Sequence, residues 1–144
     1  MFSGEYEYKI DAKGRVSIPP KFRGQFADGI VLKAGIDDGC LEAYPLAAWA
    51  AGTEQYKLQS VVLNQKDRRL RRLLFSTTFS LELDEQGRIM LPPALRQHAG
   101  IKDTLVITGL GDYLEIWDKG AWKKEQEDLR ENAFQIIESV ENRQ

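Results

Sequence analysis

The 144-residue sequence predicts a mixed, β-rich fold with helices, built from two tandem copies of one unit that interlock into a small barrel. Three observations predict it. Residues 10–23, IDAKGRVSIPPKFR, return at 83–96 as LDEQGRIMLPPALR. The same offset brings back LEAYPLAAW (41–49) as LEIWDKGAW (114–122). Each copy opens on strand alternation: Tyr6, Tyr8 and Ile10 in one, Phe79, Leu81 and Leu83 in the other, with polar residues between. The first unit spans 1–76 with its following helices, the second 77–144 with a C-terminal helix. A short hairpin cannot bury both faces alone, so the units are expected to share one core around a pseudo-two-fold axis.

Each element follows from local chemistry. After the first strand comes Asp-x-x-Gly, at Asp11–Gly14 and Asp84–Gly87, read as a tight hairpin. The aspartate can accept backbone N–H bonds, and glycine admits a positive φ. The chain is expected to return through Val16 and Ile18, or Ile89 and Leu91. Pro19-Pro20 and Pro92-Pro93 then end the strand and open a short helix, because proline suits the first helical turn. A second hairpin follows, IVLKAGI into CLEAY around Asp37-Asp38-Gly39, and DTLVITGL into YLEIW around Gly111-Asp112. Pro45 starts a helical stretch through Trp49 that extends, bent at Gly52, to about Val62. Asn64 caps a further helix, with Asp67 at its N3 position. The last helix starts near Ala121 and carries Trp122, Leu129, Ala133, Ile136 and Val140 on one stripe.

Composition narrows the function. Content is 42% hydrophobic and 29% charged, as in a globular chain. The opening residues show no basic and apolar leader, and no apolar run is long enough for a bilayer. Cys40 is the only cysteine, so no internal disulfide forms and a reducing cytoplasm is the expected setting. With one cysteine and one histidine, the common zinc sets are excluded. Net charge is −2, which taken alone disfavours nucleic acid. Its distribution does not: KDRRLRR (66–72) is strongly basic, and 112–144 is acidic.

Arg15 and Arg88 each begin a strand just past a turn glycine, so they are expected to project from the loop tip. Asp11 and Asp84 stand four residues earlier and can pair with them, aiming the guanidinium. Arginine's planar fork matches phosphate oxygens or the O6/N7 edge of guanine. Lys9, Lys13, Lys21 and Arg23 add charge in the first copy, and Arg96 is the counterpart of Arg23 in the second. The bland reading of one such motif is a sound turn with a solvated arginine.

The whole chain resembles the MraZ family of transcriptional regulators, within the AbrB-like swapped-hairpin DNA-binding proteins. The resemblance rests on the M-F-x-G-x-Y start, both D-x-x-x-R repeats, R-R-x-x-R-x-L-F (68–75), L-R-x-H-A-G-I (95–101) and W-D-x-x-x-W (117–122). It implies a swapped-hairpin barrel with peripheral helices and a ring-shaped homo-oligomer. It implies binding of double-stranded DNA at short direct repeats in the promoter of the division and cell-wall gene cluster, usually as a repressor. The family's arginines fall on Arg15 and Arg88, and the wider class places basic residues at the positions of Lys9 and Arg23 against DNA. The second copy departs from this: Glu82 stands opposite Lys9, and Gln86 opposite Lys13. The first copy is therefore expected to contact DNA more strongly. The chain is expected to be cytoplasmic and nucleoid-associated, with no cofactor, metal or membrane partner.

Two other classes compete. The same fold would serve as an AbrB-like protein-interaction or antitoxin-type module. An aspartate-dyad hydrolase would use Asp11 and Asp84 with a shared proton, but tips rich in Lys, Gln and Arg favour ionised aspartates, and no catalysis is expected. The KDRRLRR run reads as a solvated or subunit-facing helix that acidic residues of a neighbour could meet, with a second nucleic-acid patch as the alternative. The C-terminal stripe packs on its own barrel or on a partner. His98 and Cys40 read as structural residues.

Overall fold

A computed structural model describes residues 1–36, 38–53 and 64–142. Among the described residues eight strands form: β1 (Glu5–Lys9), β2 (Arg15–Ser17), β3 (Ile30–Ala34), β4 (Leu41–Pro45), β5 (Thr78–Leu81), β6 (Arg88–Met90), β7 (Thr104–Gly109) and β8 (Leu114–Asp118). The helices are a 3-10 helix (Pro20–Phe26), α1 (Leu46–Thr53), α2 (Gln65–Phe75), α3 (Pro93–Ala99), α4 (Lys119–Glu131) and α5 (Ala133–Glu141). Each repeat thus reads strand, strand, short helix, hairpin, helix.

Six strands form one sheet in the order β1-β7-β8-β4-β3-β5, and β2 pairs with β6 in a separate ribbon. Exchanging the repeats (β1 for β5, β3 for β7, β4 for β8) reverses this order onto itself. The units are therefore interlocked: β1 of the first pairs with β7 of the second, and β5 of the second with β3 of the first. β4 and β8 join at the centre, through Leu41↔Ile116, Glu42↔Glu115 and Ala43↔Leu114.

This corrects the first hairpin of each repeat. The Asp-x-x-Gly turn forms, but the strands on either side do not pair with each other. β1 and β2 part after the turn and complete different sheets in the other repeat. A five-residue strand bonded along β7 satisfies more backbone than a three-residue return could. The hydrogen-bonded sheet itself does not close: β1 and β5 remain its edges.

One core lies between sheet and ribbon. Val16, Ile18, Ile89 and Leu91 come from the ribbon strands and the residues just after them, Leu32, Leu41, Leu105, Ile107, Leu114 and Ile116 from the sheet, and Phe22, Phe26 and Leu95 from the short helices, all buried in one cluster. Full burial of such side chains stabilises by ~1.5–3 kcal/mol each. The prolines work as the sequence predicts. Pro20 and Pro93 open their helices, although the first is a 3-10 helix and the second an α-helix closed by left-handed Gly100.

Asn64 caps α2 by accepting from the Asp67 N–H at 2.9 Å. The expected helix from Pro45 forms as α1 to Thr53, and its continuation to Val62 lies outside the described residues, as does Asp37 of the hairpin turn. The single C-terminal helix is also corrected. It starts earlier, at Lys119, where Asp118 accepts from the Gly120 and Ala121 N–H groups. It then breaks at Asn132 into α4 and α5. The stripe is split accordingly: Trp122 packs on Trp117 of the sheet, with ring centroids 5.7 Å apart, whereas Ile136 and Val140 on α5 are exposed. Among the described residues no helix is long and apolar enough to cross a membrane.

Candidate nucleic-acid interface

The two Asp-x-x-Gly-Arg loops are built alike. In the first, Asp11 Oδ1 accepts from the Lys13 and Arg15 backbone N–H groups at 2.9 and 2.8 Å. In the second, Asp84 Oδ1 accepts from the Gln86 and Arg88 N–H groups, both at 2.9 Å. Gly14 and Gly87 take φ of 82° and 75° and donate back to the aspartate carbonyls. That conformation strains any residue with a Cβ.

The other aspartate oxygen aims the arginine. Arg15 Nε donates to Asp11 Oδ2 at 2.6 Å, and Arg88 Nε to Asp84 Oδ2 at 2.9 Å. A guanidinium held at Nε keeps its terminal nitrogens for another acceptor. Among the described residues none accepts a hydrogen bond from those of Arg15. The side chains are 29% and 25% exposed, half-sunk at the surface and not sealed within the core.

Tertiary pairing then brings the loops together. In the β2–β6 ribbon Arg15 pairs with Met90 and Ser17 with Arg88. Gly14 accepts from the Leu91 N–H, and Gly87 from the Ile18 N–H, both at 2.9 Å. Arg88 Nη1 lies 3.9 Å from Asp11 Oδ2, an ion pair between repeats. Two anchored guanidinium groups thus stand in adjacent loops of one ribbon.

The carboxylates are held ionised. Backbone donation from Arg15 to Asp11, and from Arg88 to Asp84, lowers both pKa values, with the arginine side chains adding to it. A dyad sharing one proton needs one carboxyl raised, so these aspartates run opposite to that chemistry.

The other candidates divide. Lys9 and Lys13 are exposed. Lys21 is exposed too, with its ammonium 5.0 Å from the Tyr6 ring centroid and 5.2 Å from that of Phe22. Arg23 donates from Nε to the Ile18 carbonyl at 2.9 Å and packs under Gly87, where a Cβ would collide with it. Arg96 donates to the carbonyls of Ile101 and Lys102 at 3.0 and 2.8 Å. These two guanidinium groups thus brace backbone. Arg23 supports the opposite repeat's loop, and Arg96 closes α3.

The sequence reading passed over Met90. It is exposed directly across from Arg15, an apolar group beside the guanidinium. The signal was there: in Arg-Ile-Met, Ile89 faces the core, so its neighbours face out. His98 is exposed on α3, and Cys40 is buried.

The sequence matches known proteins over nearly its full length. A family model described as "MraZ protein, putative antitoxin-like" matches twice, at residues 1–73 and 74–143. The chain is 44% identical to the transcriptional regulator MraZ of Dehalococcoides mccartyi, covering 98% of this chain and 99% of that protein. It is 40% identical to the one of Herpetosiphon aurantiacus and 39% to that of Pediococcus pentosaceus, each over 97% of this chain and 96% of the relative. Two model matches in tandem, near-complete coverage and a self-reversing strand order agree: this chain belongs to the MraZ family.

Proposed function

We propose that this protein is a sequence-specific DNA-binding transcriptional regulator whose paired loop arginines meet the duplex. The observation that carries the reading is the juxtaposition of Arg15 and Arg88, each anchored by its own aspartate and linked across repeats through Asp11. Relatives named transcriptional regulators support the class. The first loop, with Lys9 and Lys13 beside Arg15, carries more charge than the second, where Glu82 and Gln86 stand, so it makes the stronger contact. Lys9, Lys13 and Lys21 meet phosphates, while the two loop arginines read base edges. Arg23 and Arg96 contribute by holding loop and helix in place.

The finer reading is a repressor of the division and cell-wall gene cluster, including its own gene, acting at short direct repeats from the cytoplasm and nucleoid. The ribbon over the sheet completes a swapped-hairpin barrel, and copies assemble into a ring. A subunit of net charge −2 binds a polyanion weakly, and several subunits on successive repeats gain avidity without new contacts. No catalysis and no cofactor enter this reading. The antitoxin-type module remains the second reading, favoured by the wording of the family description.

A gel shift on the DNA upstream of the protein's own gene tests it. Arg15→Ala is expected to abolish the specific shift while the fold and assembly persist. Affinity is expected to fall steeply with salt, as phosphate contact requires. Unchanged binding in both Arg15→Ala and Arg88→Ala would overturn the site.

A further inference from the structure

The repeats differ in chemistry on the outer face of the sheet, near where β4 and β8 meet. In the first repeat Lys33 lies directly across from Glu42, its ammonium 3.2 Å from the carboxylate. Tyr44 donates its hydroxyl to the same oxygen at 2.8 Å. The repeat symmetry carries Lys33 onto Thr108 and Glu42 onto Glu115, again directly across from each other. The cation is gone. Among the described residues Glu115 receives only the Trp117 indole N–H at 2.9 Å and the Cys40 thiol. Thr108 Oγ1 is buried without a hydrogen-bond partner, in a residue 4% exposed. Buried polar groups left in this state cost free energy.

More negative charge gathers at the same place. Asp38 brings a second carboxylate within 4.8 Å of Cys40 Sγ and Glu115, and burial raises the pKa of Glu115. A cavity of about 340 Å³ opens outward from Thr108 and Glu115 past Trp122 and Glu125. Its rim carries Leu110 and Leu129, both exposed. An acidic floor, indole walls and an apolar rim suit a guanidinium on an apolar stem.

The matching group stands at the other edge of the molecule. α2 packs on β5, the edge strand of the first repeat's half of the sheet. Lys66, Arg68, Arg69, Arg71 and Arg72 on α2 make no ion pair among the described residues. Arg69 is exposed, and Leu73, one turn further on, is 58% exposed. The cavity lies toward the opposite edge. There α4 holds β1, with Trp122 Nε1 donating to Glu5 at 2.9 Å and Lys119 3.2 Å from Glu7.

We propose that this cavity receives Arg69 from α2 of a second copy of the chain, the neighbour's guanidinium taking the place that the Lys33 ammonium holds in the first repeat. Leu73 of the arriving helix then covers the Leu110–Leu129 rim. The contact joins two different patches on opposite edges, so it is heterologous. Repeated, it closes into a ring or runs on as a filament. The inference rests on the self-association reading above and assigns its contact.

Native mass and sedimentation of the full chain test it. Thr108→Lys places a cation in cis, as Lys33 does in the first repeat. The variant is expected to fold with an unchanged or higher Tm and to weaken assembly about tenfold or more. Arg69→Ala is expected to weaken assembly similarly, and the double variant no further than either alone. Should Thr108→Lys fold poorly, Glu115→Gln keeps the acceptor for Trp117 and is expected to weaken assembly in the same direction. Assembly by Arg69→Ala at wild-type strength would overturn the proposal. So would loss of assembly on adding a chelator with recovery on adding zinc, which would make the Asp38–Cys40–Glu115 group a metal site. A wild-type chain that stays monomeric at all concentrations would remove self-association itself, whereas DNA binding is read separately through Arg15.

Discussion

The Arg15 and Arg88 loops are near copies, whereas the Lys33–Glu42 and Thr108–Glu115 sites have diverged to opposite chemistry. Both pairs come from the same duplication. In the loops, every hydrogen bond of the aspartate is repeated, because the turn depends on an Asx acceptor and a positive-φ glycine at fixed offsets. On the outer face, strand register survives but one side chain does not. Backbone geometry resists divergence because many bonds share it, while a side chain on a regular strand is free to change what its site can hold.

The largest expected effect falls in the diverged half of that contrast. Lys33→Ala leaves Glu42 with a carboxylate but no cation on a nearly buried face, and about 3 kcal/mol of unfolding free energy is expected to be lost in denaturant melts. The corresponding change in the other repeat, Thr108→Val, removes an unpartnered hydroxyl and is expected to be neutral or to stabilise by about 1 kcal/mol. Similar losses at both positions would show that the outer faces have not diverged.

The loops make a finer comparison. Arg15→Ala is expected to cost about 2–3 kcal/mol of specific DNA binding, and Arg88→Ala about 1 kcal/mol, by titration at fixed salt. Equal losses would make the two repeats equivalent at the duplex. Gly14→Ala and Gly87→Ala each force a Cβ into positive φ, at about 1–2 kcal/mol. Gly87→Ala must also displace Arg23 from its bond to Ile18, so its unfolding free energy is expected to be lower by a further ~1 kcal/mol.

The smallest effect is acid sensitivity. Asp11 and Asp84 have native pKa values below their ordinary 3.8. Their contribution to stability is therefore fully present above that value and is lost as pH falls through the lower native one. Asp11→Asn and Asp84→Asn are each expected to flatten the acid limb of a stability–pH curve slightly, by a similar amount.

Much of the site was legible in the linear chain. Asp11, Gly14 and Arg15 lie within five residues, so their bonding is local and the spacing alone predicts it. The caps at Asn64 and the proline openings are local too. Arg23 was legible as a charge but not as a brace, because its target, Gly87, belongs to the other repeat. The split of the last helix at Asn132 was missed because apolar periodicity runs on through the break.

By itself the sequence determined that a unit is repeated, which residues of each strand face inward, where the chain turns, and that each turn carries an aspartate-anchored arginine. Only the tertiary structure decided that β1 joins β7, that β2 joins β6, and that the two arginine loops therefore lie next to each other. The reason lies in the hydrogen bonds of a strand edge. Backbone N–H and C=O groups are the same in every residue but proline, so side-chain alternation says which face is buried but not which strand completes the ladder.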